Sequence, residues 1–165
     1  MQLQQTLRKS YLFEGKGLHT GRVAKMTIKP APVDTGIVFV RTDLGSDAIV
    51  EALAENVSNT ARSTTISSGE ASVSTIEHVL SALTGMGVDN AVIDIDNVEV
   101  PILDGSAKPY IDAIWKDGFE QQGAPRRYIE IKETVEIRNN EKGSVVRIEP
   151  AEEFSYEIKI DFNSR

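Results

Sequence analysis

At 165 residues, 40% of them hydrophobic and 26% charged, the chain has the make-up of one or two small globular domains. Its net charge of −7, with no basic block, argues against nonspecific binding to nucleic acid or to an anionic membrane surface. Cysteine is absent, which excludes disulfides and thiolate metal sites, and no run approaches the roughly 18 apolar residues of a membrane span, so an integral membrane protein is not expected.

Residues 1–10 are polar and lack the apolar centre of a signal peptide, so a cytoplasmic location is expected. The first sixty residues read as strands. Ala24, Met26 and Ile28 alternate with Lys25, Thr27 and Lys29, the pattern of a half-buried strand that Pro30-Ala31-Pro32 ends. Residues 36–40 (GIVFV) form a short buried strand, and 48–53 another. Residues 63–66 and 71–73 flank Ser67-Ser68-Gly69-Glu70, a hairpin turn. A helix is predicted over 75–86, because Ile76, Val79, Leu80 and Leu83 fall on one stripe, and Gly85 and Gly87 end it. Ala91, Ile93 and Ile95 alternate with Val92, Asp94 and Asp96 as a strand. After a loop over 98–105, Ser106 caps a second helix carrying Ala107, Tyr110, Ile111 and Ile114, and Gly118 stops it.

Residues 121–125 are polar and contain Gly and Pro, so they read as a linker. Three strands follow without a helix: 128–137, 144–148 and 156–162. Tyr156, Ile158, Ile160 and Phe162 share one face of the last. Three strands with an apolar face and no helix to cover it make an incomplete domain. The expected organisation is an α+β domain over 1–120 with a small β insert near 55–73, the linker, and the first strands of a truncated second α+β unit over 126–165. The uncovered face of that second unit is a surface for self-association.

Three constellations carry candidate chemistry. The first is Glu77-His78, at the start of the predicted helix. Ser74-Thr75-Ile76-Glu77 has the form of a capping box, in which the Glu side chain returns to the N-cap amide. The alternative role for Glu77 is that of a general base beside a metal-binding imidazole. His78 lies about 200° around the helix from Ile76, opposite the apolar stripe, with small neighbours Ser81, Ala82 and Gly85 that leave room for a close approach. A catalytic zinc takes about three protein ligands, so a chain with two histidines, His19 and His78, and no cysteine is not expected to complete such a site. The second constellation is Gly15-Lys16-Gly17-Leu18-His19-Thr20-Gly21. It reads as a turn between strands, or as a loop that brings backbone near a ligand with His19 at its tip; it lacks the spacing of a phosphate loop. The third is Val100-Pro101-Ile102-Leu103-Asp104-Gly105-Ser106-Ala107. Asp104 there either satisfies helix-start amides or stands behind a metal-bound imidazole as its hydrogen-bond acceptor.

Taken together, GxGLHTG, KPAPVDTGIVFVRTD, STIEHVLSALTGMGVDN and VPILDGSA resemble one family. It is the zinc-dependent UDP-3-O-acyl-N-acetylglucosamine deacetylases of lipid A synthesis, and the likeness runs in colinear order from Leu7 to Phe162. The resemblance implies hydrolysis of the acetamide of a UDP-linked acylated glucosamine. It implies a fold of two similar α+β domains, each a two-layer sandwich of a β-sheet packed on two helices, with the active site between them. By the same resemblance His78 matches the first zinc ligand and Glu77 the general base. His19 matches a histidine at the mouth of the site. Ala61, Arg62, Ser63 and Thr64 match an insert segment whose backbone borders the substrate, although larger apolar residues are common where Ala61 and Arg62 stand. Asp104 matches a family-typical aspartate. The remaining zinc ligands belong to a His-x-x-x-Asp motif of the second domain that this sequence does not contain. The expectations are therefore that Glu77 and His78 are solvent-accessible and that the 165-residue chain alone is inactive. The reading of another class is a small non-catalytic α+β binding module that uses the His19 loop, with Glu77 as a plain cap.

Overall fold

The computed structural model describes residues 2–161. The chain divides into two units, Met1–Arg126 and Arg127–Arg165. In chain order the first unit contains β1 (Leu3–Leu7), β2 (Tyr11–Lys16), β3 (Val23–Pro30), β4 (Ile37–Arg41) and β5 (Ile49–Glu51). A 3-10 turn over Ala54–Asn56 leads to β6 (Val57–Asn59), β7 (Thr65–Ser68) and β8 (Ala71–Ser74). Then come α1 (Glu77–Gly85), β9 (Ala91–Ile95), α2 (Lys108–Ile114), a 3-10 turn over Trp115–Asp117, and β10 (Phe119–Pro125).

The main sheet has the order β2-β3-β9-β4-β5. Strand β3 alternates: Ala24, Met26 and Ile28 are buried, whereas Val23 and Lys25 are exposed. The buried face meets Val79, Ala82 and Leu83 of α1 and Tyr110 and Ile114 of α2 in one core with Phe39, Ile93 and Ile95. Each such aliphatic or aromatic side chain contributes about 1.5–3 kcal/mol on burial. The architecture is α+β, with two helices and several sheets among the described residues.

Strand β9 sits at the centre, antiparallel to β3 and parallel to β4. A parallel pair cannot be joined by a tight turn. The crossover here carries β5, the three-stranded sheet β6-β7-β8, and α1. Its small sheet folds through a two-residue turn, Gly69-Glu70, because Ser68 pairs with Ala71 and Gly69 takes a positive φ of 56°. Ile66 and Val73 bury that sheet into the common core. Arg41 fixes it to the end of β4: Nη1 donates to the Ser72 carbonyl at 2.6 Å while the fork holds Asp43 at 2.9 and 2.7 Å. Helix α1 ends in a Schellman arrangement, with Gly87 N–H donating to Thr84 O and Val88 N–H to Leu83 O, both at 2.9 Å, and Gly87 at φ 73°.

Several predicted elements differ. The linker expected at 121–125 is the end of β10, which pairs antiparallel with β1 from Leu7↔Phe119 to Leu3↔Pro125. A surface ribbon tolerates the polar residues and glycine that resembled a linker. The polar N-terminus hides β1, whose inward Gln4 and Thr6 are buried yet satisfied: Thr6 Oγ1 donates to Asn90 O at 2.7 Å, and Asn90 Nδ2 donates to Gln4 Oε1 at 2.8 Å. The helices begin at Glu77 and Lys108, later than the periodicity suggests, and the strand predicted at 63–66 runs Thr65–Ser68.

In the second unit, β11 (Val135–Asn139) and β12 (Ser144–Ile148) form an antiparallel hairpin. Val135↔Ile148 and Ile137↔Val146 put four exposed apolar side chains on one face. Of the strand predicted over 128–137 only 135–137 is extended into a ladder. Residues 156–161 form no strand, since a strand needs a hydrogen-bonded neighbour and none pairs with them among the described residues. Phe162 lies outside the described residues. Among the described residues no helix is long and apolar enough to cross a membrane.

The loop from β9 to α2 is pinned from beneath by Tyr110. Its fully buried ring meets Phe13 edge-on at 4.8 Å, and its hydroxyl donates to Pro101 O at 2.7 Å. Burial pushes the phenol upward, and the charge of Asp104 adds to the shift. Tyr110→Phe keeps the ring and strands the Pro101 carbonyl. A loss of about 1–3 kcal/mol is expected by urea denaturation; unchanged stability would show that the hydroxyl does not anchor this loop.

Candidate active site

The register of the main sheet gathers several loops at one end. Met26 and Arg41 both pair with Ile95, so the end of β9 lies beside the start of β3 and the end of β4. The turn between β2 and β3, which carries His19, therefore sits at this end. So does the start of α1, because Ser74 bridges to Glu99: Ser74 N–H donates to Val98 O at 2.9 Å and Val100 N–H to Ser74 O at 3.1 Å.

Glu77 and His78 form the first turn of α1 and are both half-buried, off the stripe of Val79, Ala82 and Leu83 that enters the core. Ser81 and Gly85 keep the neighbourhood of His78 small and open. Ala82, expected to share that opening, is fully buried, since it faces the core side of the helix. The His78 imidazole has no hydrogen-bond partner among the described residues; only its carbonyl does, accepting from Ser81 Oγ at 2.9 Å. Glu77 does not close a capping box. Ser74 N–H is committed to Val98 O, the residue at the cap is Ile76, and Glu77 Oε2 instead accepts the Thr64 N–H at 3.1 Å. That bond ties the segment Ala61, Arg62, Ser63 and Thr64 to the helix start. Ala61 and Arg62 are exposed, Ser63 and Thr64 half-buried, and Arg62 holds a positive φ of 65°.

The residue that organises this end was not singled out from sequence. Glu99 is only 1% exposed. Its Oε1 accepts the His19 N–H at 2.9 Å and the Thr75 hydroxyl at 2.9 Å; its Oε2 accepts the Thr20 N–H at 2.8 Å. Burial by itself raises the Glu99 pKa, but these bonds outweigh it and lower the value to about 2. Gly17 makes the space: a Cβ there would stand 2.3 Å from Glu99 Oε2 and 2.6 Å from Thr20 Oγ1. One signal was available, a carboxylate between Val98 and Val100 in a strand-like stretch, where burial demands partners. The partners themselves, 24 to 80 positions distant, could not be read from spacing.

His19 itself is exposed at the turn, held by its backbone. Asp104, five residues beyond Glu99 in the loop from β9 to α2, is exposed; its Oδ1 accepts both the amide and the hydroxyl of Ser106 at 2.9 Å. Those bonds lower its pKa, and the Ser106 hydroxyl in turn accepts the Lys108 N–H at 3.1 Å. These are helix-start bonds, and no hydrogen bond joins Asp104 to His78 among the described residues.

Among the described residues no three His, Cys, Asp or Glu side chains converge in a way that holds a metal ion. His78 is chemically a suitable zinc donor, with Glu77 beside it, but one imidazole is a corner of a zinc site and not the site.

A family model described as LpxC, UDP-3-O-acyl N-acetylglycosamine deacetylase, matches residues 4–165. The chain belongs to this family. It is 44% identical to the bifunctional enzyme LpxC/FabZ of Porphyromonas gingivalis, over 100% of this chain and 36% of that protein. It is 49% identical over 146 residues to the UDP-3-O-acyl-N-acetylglucosamine deacetylase of a Geobacter species, covering 88% of this chain and 48% of that one. With the like-named protein of Xanthomonas oryzae it shares 42% identity over 99% of this chain and 53% of the relative. The chain thus spans about half, or less, of the length of these LpxC relatives.

In this LpxC chain the depressed Glu99 pKa makes a measurable demand on stability. The group binds its proton more weakly when folded, so its contribution is present above its ordinary value of 4.5 and is lost as pH falls toward 2. Urea denaturation of wild type should lose roughly 3 kcal/mol more across that window than Glu99→Gln does. Parallel pH profiles would contradict the hydrogen-bonded carboxylate.

Proposed function

We propose that the protein carrying this chain is a zinc-dependent deacetylase that hydrolyses the acetamide of UDP-3-O-acyl-N-acetylglucosamine in lipid A synthesis. On this reading the chain supplies the N-terminal α+β domain and the opening strands of a similar second domain, and is inactive alone. The observation that carries the reading is the placement of Glu77 and His78 side by side, half-buried, off the core stripe of α1, with Glu77 bonded to the Thr64 amide rather than to a cap. Membership of the deacetylase family supports it.

His78 would be one zinc donor, the others coming from the second domain. When bound, zinc polarises the amide carbonyl and acidifies a water. The work of this chain's own residues follows from their positions. Glu77 holds one oxygen, Oε2, on the Thr64 amide, while Oε1 has no hydrogen-bond partner among the described residues. That oxygen accepts the proton of the water that adds to the acetamide carbon. The C–N bond then breaks, acetate leaves, and the amine nitrogen takes up a proton. His19 and the backbone of Ala61, Arg62, Ser63 and Thr64 border the UDP-linked acylated glucosamine. Asp104 serves the start of α2, a role that its bonds to Ser106 support.

The remainder of the second domain would cover the apolar face of Val135, Ile137, Val146 and Ile148. In the isolated 165-residue chain that face is the one through which self-association would occur. The reading includes a cytoplasmic location.

One variant of the full-length protein separates a general base from a structural carboxylate. Glu77→Ala should lower turnover by about 10²–10⁴-fold while the bound zinc per molecule stays near wild type. If the rate per folded molecule stays within about threefold, under 1 kcal/mol of barrier, Glu77 is not the base.

A further inference from the structure

Thr75 is a β-branched residue held at φ 60°, fully buried, two positions before Glu77. A non-glycine residue in that conformation costs on the order of 1–3 kcal/mol and persists only where its surroundings impose it. The surroundings here are Glu99. The same oxygen that accepts the Thr75 hydroxyl accepts the His19 amide, and its twin accepts the Thr20 amide. The strained entry to α1 and the tip of the His19 loop are thus bonded to one side chain. Among the described residues no other hydrogen bond ties the tip to the start of α1: the turn's own bonds, Gly17 N–H to Arg22 O, Gly21 N–H to Gly17 O and Arg22 N–H to Thr20 Oγ1, are internal.

We infer that Glu99 is a positioning residue that docks the tip of the His19 loop onto Thr75 and so sets where His19 stands relative to Glu77 and His78. Glu99 does not touch substrate; it acts through His19. Gly17 belongs to the same device, because any side chain there displaces the carboxylate from the two amides. The kinetic consequence rests on the deacetylase reading, whereas the docking itself does not.

The test uses the full-length, zinc-loaded protein with Glu99→Gln, His19→Ala, the two combined, and Gly17→Ala. Gln fills the same space but offers one acceptor where the carboxylate offers two. In Glu99→Gln the amide hydrogens of His19 and Thr20 should exchange about tenfold faster or more, the worth of a hydrogen bond to a charged group, with those of β9 unchanged. KM for the UDP-linked substrate should rise about tenfold with kcat within about threefold, the pattern of lost substrate positioning. In the His19→Ala background Glu99→Gln should add less than about twofold, because coupled residues are not additive. Gly17→Ala, which keeps the charge of Glu99 and moves it, should reproduce the pattern and serves if Glu99→Gln fails to fold. Unchanged exchange at His19 and Thr20 overturns the proposal. So does a Glu99→Gln loss of equal size with and without His19, which would make Glu99 a packing residue. A full-length wild type that does not hydrolyse the acetamide overturns the deacetylase reading, and the exchange rates then decide the docking by themselves.

Discussion

A carboxylate removed from water must find its hydrogen bonds in the protein or give up its charge. Glu99 finds three, from Thr75, His19 and Thr20, and stays ionised. Two of the bonds reach the turn between β2 and β3, and the third reaches the residue leading into α1. Much of the geometry of this end of the first unit follows from satisfying that one group: a glycine at position 17, a left-handed Thr75, and a loop whose tip is tied down while the imidazole of His19 remains in solvent.

The topology explains why these segments meet. Placing β9 between β3 and β4, antiparallel to one and parallel to the other, forces a long crossover. The crossover delivers α1 with its first turn at the end of the sheet where β9 finishes and β3 begins. The small sheet within it brings Thr64 to Glu77. Loops at the ends of a packed sheet are where a fold can place polar chemistry without cost to its core. Here the core side of α1 is filled by Val79, Ala82 and Leu83, which leaves the Glu77-His78 turn for other use.

Much of the first unit was legible in the sequence, because one-sided burial writes itself as periodicity. Ala24, Met26 and Ile28 in β3 and Ala91, Ile93 and Ile95 in β9 are all buried as their spacing demands, as are Ile76, Val79 and Leu83 of the predicted helical stripe, while Leu80 is only half-buried. Strands β1 and β10 were not legible. Their ribbon lies at the surface, and β1 buries Gln4 and Thr6, whose partners Asn90 and Asp34 are distant in sequence. Alternation in 156–161 was a poor guide for the opposite reason: an apolar face does not make a strand without a neighbour to pair with. At the site, Glu77, His78 and His19 were visible as residue types at turns and off the apolar stripe. The bond from Thr64 to Glu77 and the role of Glu99 were not, since both depend on contacts across the fold. The capping box failed for the same reason, because the Val98 carbonyl, distant in sequence, takes the Ser74 amide that Glu77 would have capped.

The proposed chemistry requires His78 as a metal donor with its partner ligands in the rest of the protein. A crystal structure of the full-length protein with zinc, located by anomalous scattering, tests this most directly. A ring nitrogen of His78 should lie about 2.0–2.1 Å from the metal, with the remaining donors contributed by residues beyond this chain. Zinc bound tightly at full occupancy with His78 outside its coordination sphere would contradict the account.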